Sequence, residues 1–294
     1  MKKTYKIGGV IAALFTVLLL AAAYIHTHNL EVLNPAGTIA SKERHLLVVA
    51  VLLMLIVVVP VFVLLFSFAW RYREGNTKAK YSPDFDGSRT FETIWWLIPT
   101  ALIVALSFLT WNYTHKLDPY VPIQSSKAAV TVDVVALDWK WLFIYPKQHI
   151  ATVNYLDLPV NTPVNFNITS DTVMNSFWIP QLGGQIYAMT GMSTQLHLMA
   201  TKDGNYRGSS SNISGAGFSK MIFDTHATSQ RNFNAWVADA QSSKTTLDVQ
   251  HYNQLTKPTI GNKPQYFGSV VPELFDAVMQ KYAPVNGGEG ALVQ

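Results

Sequence analysis

The chain has 294 residues, 49 % of them hydrophobic and only 14 % charged, with a formal net charge of +4, whereas ordinary domains are about a quarter charged. It has no cysteine, which excludes disulfides, thiolate metal sites, thiol catalysis and a cysteine-linked lipoprotein anchor. From Lys127 onward 11 basic residues meet 11 acidic ones, so the whole excess lies in the first 126 residues, beside apolar runs, as membrane topology rather than nucleic-acid binding requires.

Ile7–Ile25 is uncharged, follows Lys2, Lys3 and Lys6, and contains Ala21-Ala22-Ala23. It reads as a signal peptide cleaved after Ala23, or as an uncleaved N-terminal anchor, over residues 1–23. Residues 24–45 form a short extracytoplasmic segment. Leu46–Ala69 is uncharged over 24 residues and is followed by Trp70, Arg71, Tyr72 and Arg73. It predicts a transmembrane helix over 46–70, with Pro60 tolerated inside it. A second span over 93–114 has Trp95 and Trp96 at its start and Trp111 and Tyr113 at its end, as interfacial aromatics do. The loop 71–92 carries Arg71, Arg73, Lys78, Lys80 and Arg89 against Glu74, Asp84 and Asp86 before the span. The positive-inside rule places it in the cytoplasm and the C-terminal part outside.

Beyond Pro119 and Pro122 the pattern shifts to period two. "VTVDVVALDWKWLFIY" reads as a strand pair or a bulged strand, and "PVNFNIT" sets Val164, Phe166 and Ile168 on one face. "QLHLMA" does the same with Leu196 and Leu198, leaving His197 on the opposite face as a surface histidine. "FSKMIFD" predicts a short strand. Short strands at this spacing indicate an all-β sandwich or barrel over 115–227. A helical extension follows over 228–284. "RNFNAWVADAQ" places Phe233, Trp236, Val237 and Ala240 on one helical face. "PELFDAVMQKYA" predicts a helix opening at Pro272 and Glu273, with Leu274, Phe275, Val278, Met279 and Tyr282 inward. Residues 285–294 read as a flexible tail.

None of the eight histidines falls in a metal-binding pattern; His26 and His28 belong to a solvated terminus. No HExxH, GxSxG or phosphate loop is present. "DWKW" places Trp139 and Trp141 on one face of a strand, as packing residues or as an aromatic contact for electron transfer or docking. Glu92 precedes the second span, as a first-turn carboxylate suited to the helix dipole or as a proton uptake point at the membrane.

Two membrane helices, an exported β domain, "FETIW", "DWKW" and the loop "GSSSNISGAGFSKM" together resemble subunit II of the haem–copper terminal oxidases, from about Arg44 to Tyr282. The resemblance implies a cupredoxin-like Greek-key domain after a helical hairpin. Copper-containing members use H-x-x-x-x-P and C-x-E-x-C-G-x-x-H-x-x-M to hold two coppers. On this frame the first His falls at Asn175, the Cys pair at Ser210 and Ser214, the Glu at Asn212 and the second His at Phe218. Only Met221 is kept, with Gly208 and Gly215 of the frame. Soft copper needs thiolate and imidazole, so the chain is expected to bind no metal and to accept no electrons from cytochrome c.

This loss resembles the cytochrome bo-type ubiquinol oxidase branch, as do "DWKWLFIYP" and "VMNSFWIPQLGGQIYAMTGM". Some members of that branch carry a lipoprotein cysteine that is missing here. The resemblance implies a non-catalytic subunit of a proton-pumping complex that oxidises ubiquinol and reduces oxygen to water. Haems and copper would sit in subunit I, the main partner, beside subunits III and IV and membrane lipid. It implies a bacterial inner membrane, two spans after signal removal and a periplasmic C-terminal domain. Glu92 would mark the cytoplasmic mouth of a proton pathway into subunit I, with Trp139 and Trp141 as packing aromatics. The other reading is a membrane-tethered cupredoxin-like binding or assembly factor.

Overall fold

A computed structural model describes residues 30–79 and 87–282, with Thr16, Leu19, Leu20, Ala23, Tyr24 and Thr27 before them. The signal or anchor expected over 1–23, apart from those positions, lies outside the described residues, as do His26, His28, Lys80, Asp84, Asp86 and the tail 285–294.

Two units are present, one of residues 42–118 and one of 1–41 with 119–294. The apolar runs fold as helices α1 (Thr38–Arg71) and α2 (Arg89–Lys116), of 34 and 28 residues. At about 1.5 Å per residue both exceed the ~30 Å hydrocarbon core of a bilayer. They overrun the expected spans of 46–70 and 93–114, because polar ends such as Ser41-Lys42-Glu43-Arg44 and Arg89-Thr90 continue the helix where an apolar count stops. Pro60 and Pro99 lie inside α1 and α2. Near one end the helices are joined by the His45 ring nitrogen Nδ1 and the Tyr113 hydroxyl, 2.8 Å apart. Their most apolar windows bury no side chain within the chain.

The other unit is a β-sandwich. Its strands are β1 (Val130–Leu137), β2 (Lys140–Tyr145), β3 (Ile150–Val153), β4 (Tyr155–Pro159), β5 (Val164–Ser170), β6 (Asn175–Trp178), β7 (Ile186–Ala188), β8 (Thr194–Leu198), β9 (Gly204–Ser210) and β10 (Ile222–Thr228). Among the described residues one sheet runs β12-β3-β2-β1-β5-β8, where β12 is Gln265–Phe267, and the other runs β4-β10-β9-β6-β7. β1 pairs parallel with β5, and β4 parallel with β10, so the chain crosses between sheets, as in a Greek-key sandwich.

β5 alternates as expected, with Val164, Phe166 and Ile168 buried. β1 and β2 do not alternate because both faces are covered. Val132, Val134, Trp141 and Phe143 enter the core between the sheets. Val135, Leu137, Leu142 and Ile144 pack under the C-terminal extension. The segment before α1 also belongs to this unit: the N–H groups of Ala36 and Gly37 donate to the Gln181 carbonyl, and Ala36 is buried. Gly37 passes so close to the Leu182 backbone that a Cβ would collide.

Several expectations change. "DWKW" is a hairpin turn: Leu137 pairs with Lys140, and Asp138 and Trp139 form the two-residue connection. Trp139 therefore leaves the strand while Trp141 is fully buried in it. His197 is buried, because the outer face of β8 is covered. Its Nδ1 lies 2.8 Å from Asn165 Oδ1, and the Tyr120 backbone meets the ring. Burial holds this imidazole below the usual histidine range. Phe218–Lys220 is a 3₁₀ turn, and the strand starts only at Ile222.

The extension contains α3 (Gln230–Gln241), β11 (Thr246–Leu247), α4 (Val249–Leu255), β12, β13 (Ser269–Val270) and α5 (Leu274–Gln280). Strand β12 extends a sandwich sheet, so the extension is not helical throughout. Ser229 and Asp248 cap α3 and α4. α5 opens at Leu274, two residues later than expected, because Glu273 adopts a left-handed φ of 59°. Leu274, Phe275 and Val278 are buried as read, whereas Tyr282 is 40 % exposed.

One carboxylate fastens the extension to the sandwich. The Asp171 side chain is fully buried. It accepts from the hydroxyls of Tyr252 and Tyr282 and from Lys281 Nζ, each at 2.7 Å. The hydrogen bond from Lys281 to Asp171 raises the pKa of the ammonium. Hydrogen bonds to a charged acceptor contribute about 1.5–3 kcal/mol each. Asp171→Asn, which keeps an acceptor oxygen but loses the charge, should destabilise the outside domain by about 2 kcal/mol and Tyr252→Phe by about 1.5 kcal/mol. Chemical denaturation gives the values, and limited proteolysis should show earlier cleavage within 241–282. Wild-type protease resistance in Asp171→Asn would mean that this contact does not hold the extension.

Candidate functional site

The loop of the opening resemblance lies between β9 and β10, at the end of the sandwich where the β1–β2 turn and the β5–β6 loop also emerge. Asn175 begins β6 with no exposure. The Ser210 hydroxyl lies 3.1 Å from Asn175 Oδ1 and 3.2 Å from the Asn212 carbonyl, so one proton serves two acceptors. The Asn175 amide donates to the Val173 carbonyl at 2.9 Å. The Asn212 amide donates to the Met174 carbonyl at 3.0 Å. The Ser210 N–H donates to the Met221 carbonyl at 3.1 Å. Asn175, Ser210, Asn212 and Met221 are thereby brought together.

Met221 is fully buried in the main core. Phe218 starts the 3₁₀ turn and is half-buried. Ser214 is held through its carbonyl, which accepts from the Trp139 indole N–H at 3.1 Å. Its own hydroxyl is buried without a partner among the described residues.

Trp139 organises this loop. It sits at φ 60°, a conformation that costs a bulky residue energy. Its ring lies against Gly215 and Gly217, where a Cβ at Gly217 would enter the ring. Gly215 also needs its φ of 110°. Asp138, beside it, accepts from the Thr172 hydroxyl. The turn, the β5–β6 loop and the β9–β10 loop are thus cross-linked by polar contacts.

These residues do not fit a two-copper centre. Two neutral hydroxyls replace the bridging thiolates, an amide and a phenyl ring replace the imidazoles, and a lone thioether remains. The donors that are present are engaged with one another and with backbone, apart from the Ser214 hydroxyl.

Glu92 lies in the other unit, in the first turn of α2, and is exposed. Its N–H donates to the Ser88 carbonyl at 2.9 Å. Its carboxylate reaches back to Gly87, beside the positive end of the helix dipole. Arg89, Glu92, Thr93, Trp96 and Thr100 line a shallow groove along α2. Hydroxyls continue this side at seven-residue intervals, at Thr93, Thr100, Ser107 and Thr114. Each donates to the carbonyl four residues back, at 2.7–2.8 Å. Sequence reasoning missed this ridge and the Asp171 contact. The seven-residue spacing was the available signal for the ridge; Asp171 offered none.

Two membrane-length helices and a cupredoxin-like sandwich, with a loop whose residues do not fit a copper centre, define a membrane-anchored cupredoxin-type subunit. The family described as cytochrome c oxidase subunit II, periplasmic domain, matches residues 108–227, and the COX aromatic-rich motif matches 241–286. The chain is 49 % identical over 280 residues to cytochrome bo(3) ubiquinol oxidase subunit 2 of Pseudomonas aeruginosa, covering 95 % of this chain and 85 % of that one. It is 46 % identical over 284 residues to ubiquinol oxidase subunit 2 of Acetobacter aceti, covering 96 % and 89 %. A Pseudomonas putida cytochrome bo(3) ubiquinol oxidase subunit 2 is 47 % identical, covering 88 % and 83 %. The chain belongs to the subunit II family of the haem–copper ubiquinol oxidases.

The chemistry of the loop predicts that the unaltered chain retains no stoichiometric copper after loading and desalting. Ser210→Cys with Ser214→Cys alone should hold it weakly. Adding Asn175→His and Phe218→His should raise retention by at least about tenfold, since imidazoles complete the soft ligand set. Elemental analysis checks this, and stoichiometric copper in the unaltered chain would contradict it.

Proposed function

We propose that this chain is the non-catalytic subunit II of a proton-pumping quinol oxidase that uses ubiquinol and takes no electrons from cytochrome c. The carrying observation is the loop. It keeps the frame of a copper site, while both thiolate positions and both imidazole positions hold residues unable to replace the original, and the backbone carbonyl at Asn212 with Met221 cannot hold copper alone. Electron transfer through this domain is therefore not its task. Haems and copper belong to subunit I, and this chain supplies none of their ligands. Subunits III and IV complete the assembly in this reading, and residues 1–23 are removed on export.

The hydroxyl ridge of α2 supports docking on subunit I. Its side chains are short and their donors are bonded to their own helix, so a neighbouring helix can approach closely at little polar cost. Glu92 stands at the cytoplasmic end of the same side. A carboxylate there gathers protons from the aqueous phase and delivers them to a partner pathway. The family gives no support to the assembly-factor reading. Purification through a tag on this chain tests the assembly: a haem-containing partner should come with it in stoichiometric amount, and a haem-free preparation would overturn the proposal.

Glu92→Ala should leave that assembly intact but slow quinol-driven turnover and proton uptake. The loss should be smaller than the ~10²–10⁴-fold attached to a general acid–base residue, because a mouth residue only feeds the pathway. Glu92→Asp should recover most of the rate. Unchanged uptake in Glu92→Ala would reduce Glu92 to a helix-dipole partner.

A further inference from the structure

Lys140 is among the largest fully buried side chains in the molecule, at 2 % exposure. It begins β2, directly after the Trp139 turn. Its Nζ donates to the carbonyls of Leu255 and Lys257, at 2.7 and 2.8 Å. These are carbonyls at the C-terminal end of α4, so the ammonium closes that helix. Two of its three N–H bonds are thereby used. Both acceptors are neutral, and among the described residues no carboxylate forms an ion pair with Lys140. A buried ammonium without a counter-charge is costly. Desolvation accordingly lowers its pKa, with Asp138 opposing the shift.

The same lysine lines a half-open cavity of about 270 Å³ between β2, α4 and β12. Thr245, His251, Gln254, Thr259, Asn262 and Gln265 also line it, and no Asp or Glu does; His251 Nδ1 is engaged by Asp248 Oδ1 at 2.8 Å. The Asn262 amide is taken by Thr259. Gln254, Gln265 and Thr245 make no side-chain hydrogen bond among the described residues and leave their donors for the cavity. The loop 256–264 over this space is pinned at both ends. Lys140 holds the Lys257 carbonyl, and the Asn154 amide holds that of Asn262 at 3.2 Å. The loop itself carries Lys257 and Lys263. The cavity is below the ~300–1,000 Å³ of drug-sized ligand sites, which suits a small ion.

We propose that this cavity binds a small diffusible oxyanion of the carboxylate or phosphate type, with Lys140 Nζ supplying the charge and Gln254 and Gln265 supplying amide donors. The ion completes the third N–H of Lys140 and ties the sandwich to the extension across β2, α4 and β12. A purely structural cap on α4 would account for the two carbonyl contacts. It would not account for a cavity lined by polar donors and no carboxylate, arranged around the buried Lys140 ammonium.

The test uses the full chain in its solubilised complex, titrated with inorganic phosphate and separately with acetate. Sodium chloride at matched ionic strength is the control. A ligand that binds only the folded state raises the melting temperature with the logarithm of its concentration above Kd, while its calorimetric isotherm saturates. One of the two ions should do so, with a stoichiometry of one per chain by calorimetry. Lys140→Met should weaken the affinity at least about tenfold. Gln265→Glu keeps Lys140 in place and alters only an exposed strand residue, so it reports even if Lys140→Met fails to fold; it too should weaken binding at least about tenfold. No saturating calorimetric isotherm for either ion, a melting-temperature rise equalled by chloride, or unchanged affinity in Gln265→Glu would each overturn the proposal. Binding to anionic lipid micelles without binding to either free ion would overturn it as well.

Discussion

Five aromatic rings between the sheets hold this molecule to its geometry. Trp141, Phe143 and Phe166 come from one sheet, Phe177 and Phe223 from the other, and all are essentially without exposure. Phe177 and Phe223 stack at 5.2 Å. Trp141 meets the edge of Phe177 at 5.4 Å, and Phe143 meets Phe223 at 5.0 Å. Such pairs add about 0.5–1.5 kcal/mol each beyond the area they bury. Their placement in the chain matters as much as their energy. Trp141 lies two residues after Trp139, Phe177 two after Asn175, and Phe223 two after Met221. The ring stack therefore sets where all three end loops finish and the next strand starts. The end of the sandwich keeps its shape through packing, and a metal is not needed to gather the loops.

That independence explains how the ligand positions could change chemistry while the frame stayed. Gly215 of the frame, with Gly217 beside it, fits against Trp139, and Met221 fills buried apolar volume. Ser210, Asn175 and Asn212 form a small hydrogen-bonded group in which soft-metal chemistry has no footing. Behind it, Asp171 ties the β5–β6 region to the extension, so the vacated end is braced from outside as well as from within.

The sequence revealed what period and composition encode. Both spans, the alternation of β5 and the apolar face of α3 were legible, because membrane or core dictates each residue type at fixed spacing. Helix ends were not, since polar residues at Lys42–Arg44 and Arg89 continue a helix as readily as they end one. Trp139 was misplaced because two glycines about 75 residues later make room for its left-handed turn. His197 was read as exposed because the segment at Tyr120 that covers it is remote in sequence. Asp171 was invisible for the same reason: its three donors lie 81, 110 and 111 residues away. The vacated ligands were legible only against the pattern of a related family, because a serine and an asparagine carry no local sign of what they replaced.

The most direct measurement is oxygen uptake by the purified complex with each of two electron donors, ubiquinol and reduced cytochrome c, beside its copper-to-haem ratio. Ubiquinol should drive rapid uptake, cytochrome c should not, and all copper should be accounted for by the haem-bearing subunit. Rapid oxidation of cytochrome c with additional copper in this chain would contradict the account.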